Sequence, residues 1–324
     1  MATMTGIEWT DGTWNPTVGC SFASPGCKNC YAMGESSRLA AAAGPAGKYV
    51  GLTQVVKGKP VWNSLVRLVP KALDEPFTWR EPKLVFVNSM SDLFHEELTD
   101  VEIARVWAVM AATPQHRYQV LTKRPDRMLN WLTRPDIVQL VEAEMRQRDM
   151  FAVIGEWPLA NVWIGVSVED QRRASERIPI LLRCPAAMRF LSMEPLLGPV
   201  DLDTALGVSA EVAGLDWIIV GGESGDEARP MHPDWVRGLQ NTCATAGIPF
   251  FFKQLGEWSW VRSVRPGPRA SAILPDGRIV PIGTPGSQSL LKVGKVAAGA
   301  FLDGSMIRQM PGTAQRTCDR DTVL

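Results

Sequence analysis

Three thiols crowd into one short stretch near the start of the chain: Cys20, Cys27 and Cys30 in the run Gly19-Cys20-Ser21-Phe22-Ala23-Ser24-Pro25-Gly26-Cys27-Lys28-Asn29-Cys30-Tyr31. The spacing is C-x6-C-x2-C, in a loop bent by Pro25-Gly26. Thiolates are the natural ligands of iron–sulfur centres, and three of them can hold three corners of a cubane while the fourth iron stays open. An open iron can chelate the amino and carboxylate groups of S-adenosylmethionine (SAM). Electron transfer into the sulfonium then yields methionine and a 5′-deoxyadenosyl radical. The expected cofactors are therefore a 4Fe–4S cluster and SAM, with a reducing electron donor as a partner. Structural zinc is the competing reading; it needs four ligands, and the nearest later candidate is His95. Cys184, Cys243 and Cys318 are scattered, at a helix end, in a helix interior and in the tail, and read as ordinary thiols.

Such a loop needs a scaffold. Short apolar runs recur at Leu84-Val85-Phe86-Val87, Tyr118-Gln119-Val120-Leu121, Val162-Trp163-Ile164-Gly165-Val166, Arg189-Phe190-Leu191, Trp217-Ile218-Ile219-Val220 and Pro249-Phe250-Phe251-Phe252. They have the character of strands buried on both faces. Their spacing of roughly 25–45 residues is about one strand-plus-helix unit of a parallel barrel. Trp14 to Gly19 adds a first strand, with the cysteine loop directly after it.

Helix signals fill the gaps. An Ala-rich helix is expected from Tyr31 to Ala43, stopped by Gly44-Pro45. Thr99-Asp100-Val101-Glu102 has capping-box spacing and leads into Ile103 to Ala112. Asp136 opens a run to about Arg148, Asp170 one to Arg183, and Pro233 to Ala246 ends at Gly247. The fold class expected is α/β, a partial parallel (β/α) barrel over residues 1–258. An insertion around 45–83 holds at most a short helix from Val61 to Leu73. Residues 259–324 form a C-terminal appendage with a late helix at Leu290 to Leu302.

Each apolar run is followed at once by polar residues: Asn88 to Asp92, Thr122-Lys123-Arg124, Ser167 to Asp170, Ser192-Met193-Glu194, Gly221-Gly222-Glu223 and Lys253-Gln254. Parallel barrels carry their sites at the C-terminal ends of the strands. Some of these residues serve as helix caps, Asp170 among them, but capping does not call for Lys123, Arg124, Glu223 or Lys253.

Lys plus Arg and Asp plus Glu are both 34 among 324 residues, so the net charge is +0 and any polymer substrate needs a local patch. The N-terminus has neither a basic start nor an apolar run, and no later stretch reaches membrane-span length. A cytoplasmic protein with no membrane partner is expected.

Several blocks together resemble a phage and prophage family long carried as a domain of unknown function. They are Ile7-Glu8-Trp9-Thr10, Trp14-Asn15-Pro16, Cys30-Tyr31-Ala32, Asn88 to His95, Leu121 to Pro125, Gly165 to Asp170, Glu194 to Gly198, Val220 to Gly225 and Phe251 to Gln254. That family looks like a divergent branch of the radical SAM superfamily, whose usual spacing is C-x3-C-x2-C; here the first gap is longer, and Asn29 stands where an aromatic residue usually precedes the last Cys. The resemblance implies a barrel of the radical SAM type. It implies that Ser89 and Asp92 face the SAM amino group, Lys123 or Arg124 its carboxylate, and Ser167 and Glu169 its ribose, with Glu194 and Glu223 completing the cofactor-binding rim. Lys123 and Arg124 could equally grip a substrate phosphate. A host cytoplasm is implied if the gene is carried by a phage.

Some phage radical SAM proteins help to hypermodify thymidine. The resemblance therefore points to an isomerase that converts N-linked glycinyl-thymidine to the C-linked form, acting on a modified base in DNA or on a nucleotide. The alternatives are a radical SAM DNA-repair lyase and a non-catalytic zinc or nucleic-acid-binding accessory protein. Expected DNA contacts are Arg117, Lys123, Arg124 and Arg127, or Arg172 and Arg173, with Trp9, Trp14, Trp62 and Trp258 as stacking candidates.

Overall fold

The computed structural model describes residues 5–150, 153–206 and 214–312. Seven strands make one sheet: β1 (Gly12–Trp14), β2 (Leu84–Val87), β3 (Arg117–Thr122), β4 (Val162–Ser167), β5 (Met188–Met193), β6 (Trp217–Gly221) and β7 (Phe250–Gln254). They lie side by side in chain order, with parallel pairing. Unbroken chain order is what a partial (β/α) barrel gives, whereas a doubly wound sheet reverses at a switch point. β4 and β6 are buried along their whole lengths, as continuous apolar runs in a helix-covered sheet require. The fold is mixed α/β.

The chain divides into two compact units, residues 1–166 with 179–189, and residues 167–178 with 190–324. In the first, α1 (Tyr31–Ala43) follows the cysteine loop. α2 (Asp100–Ala112) starts with the complete Thr99/Glu102 capping box and buries Ile103, Val106, Trp107 and Met110. α3 (Pro125–Leu132) was not expected; Pro125 at its first turn sets the helical φ, and Trp131 packs on Trp107 at 4.7 Å between ring centroids. α4 (Ile137–Gln147) lies against α2, where Arg105 reaches the buried Glu144 at 2.9 Å.

The expected first strand, Trp14 to Gly19, is broken. β1 stops at Trp14, and Thr17–Val18 pairs instead with Arg67–Leu68 in an antiparallel bridge. Pro16 has no N–H to continue a ladder, and Asn15 Oδ1 accepts from Met90 N (3.0 Å) and the Ser89 hydroxyl (3.2 Å). The helix expected from Val61 to Leu73 is absent as well. Thr53–Val56 and Lys59–Trp62 form a hairpin, and a 3-10 helix follows at Pro70–Thr78.

α5 (Gln171–Arg183), of which residues 171–178 fall in the second unit, begins where Asp170 Oδ1 accepts from Arg173 N, as expected of a cap. α6 (Leu202–Leu206) is short. α7 (Pro233–Ala246) is capped by His232 at its start and by left-handed Gly247 at its end. The tail does not carry a helix from Leu290 to Leu302. β8 (Trp258–Val261), β9 (Ala270–Ile273), β10 (Ile279–Val280) and β11 (Gln288–Lys292) form an antiparallel sheet, and among the tail's described residues only Lys295–Ala298 is helical (α8), its start set by Gly294 at a φ of 93°. Trp258 and Trp260 pin this sheet by donating to the carbonyls of Ala228 and Met231. Among the described residues, no helix is long and apolar enough to cross a membrane.

Candidate metal centre and the polar strand ends

The cysteine loop is held at both ends. Gly19, at a φ of +91°, donates to Met90 O, and a side chain there would meet the Leu65 carbonyl at 2.0 Å. Ser24 to Cys27 wind into a 3-10 turn led by Pro25, with Cys27 N on Ser24 O at 2.8 Å. Cys30 is the N-cap residue of α1.

All three thiols are free and partly exposed. Burial pushes the Cys20 thiol up to about 12; Asp92, Cys30 and Cys27 add to the rise and Arg124 opposes it. Burial also raises Cys30, against backbone N–H groups at the start of α1 and the charge of Lys123. Each sulfur thus lies within electrostatic reach of the others. As placed, no three Cys, His, Asp or Glu side chains among the described residues are gathered tightly enough to hold a metal ion. The donor set fits an iron–sulfur cluster by its chemistry: three soft ligands on one loop, whose protons a bound metal would displace.

His95 is not offered as a fourth ligand. Its Nδ1 accepts from Glu97 N at 3.2 Å, so the neutral ring carries its proton on Nε2 and donates to Ser21 Oγ at 2.7 Å. Burial first, then Arg124, lowers the His95 pKa and keeps the ring neutral. Ser21, His95 and Glu96 superficially suggest a nucleophile triad. The hydrogen bonds run the wrong way: His95 donates to Ser21 and so cannot take its proton, and the Glu96 carboxylate is given to Arg124.

Arg124 is the hub. Its Nη2 donates to Ser21 Oγ (2.7 Å), its Nη1 to Asp92 Oδ2 (3.1 Å), and its Nε to both Glu96 oxygens (2.8 and 2.9 Å). Asp92 is equally committed, accepting from Phe94 N, the Thr122 hydroxyl, Lys123 N and Arg124. Two residues expected to meet SAM therefore neutralise each other. Through Ser21 they fix the chain beside Cys20. Ser89 donates its hydroxyl to Asn15, while its carbonyl accepts from Tyr31. Lys123 is the cation that Cys30 feels.

The other rim residues belong to the second unit. Glu169 is fully buried against Arg177, which also donates to Ser167 O. Glu223 is clamped by Arg229 through side chain and backbone. Glu194 pairs with Lys253 at 3.0 Å across the end of β6, where Gly221 leaves room for the carboxylate; its Oε1 is buried without a hydrogen-bond partner.

Several of the residues expected to contact DNA have partners within the chain. Arg127 donates to the carbonyls of His95 and Leu98, the Arg117 guanidinium lies over the Trp163 ring, and Arg172 pairs with Glu176. Trp9 and Trp14 are buried and cannot stack on a base. Sequence reasoning missed Ser21 and Glu96; only their neighbours in the fold give them a role.

Residues 4–311, nearly the whole chain, match the model of a family described as "Protein of unknown function (DUF5131)". The chain belongs to this family. No curated protein and no solved structure matches it significantly. DUF5131 kinship thus spans the cysteine loop, both units and the antiparallel sheet of β8–β11, without itself assigning a reaction.

Proposed function

We propose that the chain is a radical SAM enzyme whose cluster is held by Cys20, Cys27 and Cys30. The observation that carries this reading is the loop itself: three free thiols at C-x6-C-x2-C spacing, and a nearby histidine with both nitrogens engaged. When bound, the cluster and SAM supply an agent able to abstract an unactivated hydrogen. The chain's own part is to hold Cys20 through Ser21 and Arg124, to seat Cys30 at the start of α1, and to keep the Lys123 cation near Cys30 for a carboxylate or phosphate. Asp92 and Arg124 act as positioning residues in this reading.

The reaction proposed is isomerisation of N-linked glycinyl-thymidine to the C-linked form.

The test is anaerobic. Iron and sulfide should copurify, 5′-deoxyadenosine should appear on reduction with SAM, and Cys27→Ala should lose the iron while Cys243→Ala retains it. Zinc in place of iron, or full iron in both variants, would refute the cluster. Mass spectrometry of nucleosides from cells with and without the gene tests the substrate.

A further inference from the structure

Charge along this neutral chain is unevenly placed. Between Glu35 and Asp74 there is no acidic residue, while Arg38, Lys48, Lys57, Lys59, Arg67 and Lys71 all fall there and all are exposed. The middle of this stretch is the hairpin Thr53–Val56 and Lys59–Trp62, closed by Lys57-Gly58 with both residues at positive φ (51° and 78°). That is a two-residue turn matched to strand twist. Its outer end is open to solvent: Val55 is 74% exposed and Val56 44%.

The root of the hairpin is built into the cysteine loop. Leu52 and Tyr49 share a core with Val18, Ala32 and Met90, against which Trp62 and Cys30 also pack. Arg67–Leu68 pairs with Thr17–Val18, just before Cys20, and Leu65 abuts Gly19.

We infer that this hairpin and its basic flank are the duplex-DNA docking surface of the protein. A two-stranded ribbon fits the major groove, and clustered Lys and Arg meet the phosphates. Lysines at an exposed edge also deter strand-to-strand aggregation. That role needs only Lys57 and Lys59; it does not explain Lys48, Arg67 and Lys71, three further exposed cations, while Arg38 is paired with Glu35 at 2.7 Å. An anionic membrane is the other polyanion, but membrane-seated surfaces present Trp, Phe or Leu, and this tip carries two valines. The inference deepens the proposed function by making the substrate a polymer; it rests on that reading for the reaction, not for the contact.

The test is fluorescence anisotropy of the full chain with a short fluorescein-labelled duplex over a salt series. Removing two phosphate contacts with Lys57→Gln/Lys59→Gln should flatten the slope of log affinity against log salt by about 2, and weaken binding roughly tenfold. Circular dichroism should be unchanged, since both side chains are exposed. Arg262→Gln/Arg265→Gln, equal in charge but on the β8–β9 connection, should bind as the parent does. Equal loss in both variants, no duplex binding, or binding to phosphatidylserine vesicles but not to duplex would overturn the inference. None of these measurements needs iron, SAM or a reductant. Salt-dependent duplex binding without 5′-deoxyadenosine would therefore sink the radical reading alone, and the reverse result this one alone.

Discussion

Replacing Arg124 by Met should destabilise the protein more than any exposed charge deletion. The Arg124 and Asp92 side chains are only 8% and 7% exposed, so removing the cation strands a buried carboxylate. Breaking a buried pair in this way costs about 3–5 kcal/mol. The lost contact with Glu96 adds little, since Glu96 is 67% exposed and such pairs are worth about 0–1 kcal/mol. A chain of this length has an unfolding entropy near 0.7 kcal/mol/K, so the melting temperature should fall by about 4–7 °C. Differential scanning fluorimetry of metal-free protein reads this directly. Asp92→Asn combined with Arg124→Met should cost less than the two single changes summed, by at least about 1 kcal/mol, because no unpaired charge remains. A Met variant melting within a degree of the parent, or strict additivity in the double variant, would refute the hub assigned to Arg124.

Four further outcomes are expected. His232 is buried, which together with Arg237 lowers its pKa against the opposing pull of Asp234, and its Nδ1 caps α7 by accepting from Asp234 N. The unfolded chain then binds the proton more readily. This contribution is complete above the ordinary His value near 6.5 and is lost as pH falls from there through the lowered one, so the urea midpoint should drop between pH 7.5 and 5.5 more for the parent than for His232→Asn. In brief alkylation with iodoacetamide followed by peptide mass mapping, Cys27 should label before Cys184 and Cys243; those two are almost fully buried and their thiols are pushed up to about 12 by burial. Gly238→Ala, in the exposed face of α7 with nothing near its added carbon, should stabilise by about 0.5–1 kcal/mol. Gly222→Ala would drive a carbon to 2.1 Å from the Leu255 carbonyl and should lower the melting point sharply.

Local signals were readable where one element decides its own fate. The Thr99 box, the Ala-rich run after Cys30 and the Gly247 stop appear where pattern placed them, because capping and propensity act within a few residues. The buried strands were readable for the same reason. The stretch from Thr53 to Leu68 was not: its strands are two to four residues long, and one of them, Arg67–Leu68, has its partner Thr17–Val18 far away in sequence. The tail misled because its Leu and Val residues fit either period until Gly294 and cross-strand pairing decide.

The polar rim carries the deeper lesson. In sequence, Asp92 and Arg124 look like two cofactor ligands; in the fold, every acceptor site of one and every nitrogen of the other is already used. A guanidinium tied to two carboxylates and a hydroxyl would have to break a buried ion pair to grip a SAM carboxylate, at a cost comparable to the grip itself. Lys123 donates its backbone N–H to Asp92, and its charge is felt at Cys30. Arg124 is therefore better suited to tie Ser21, beside Cys20, to Asp92 and Glu96 than to grip an incoming anion.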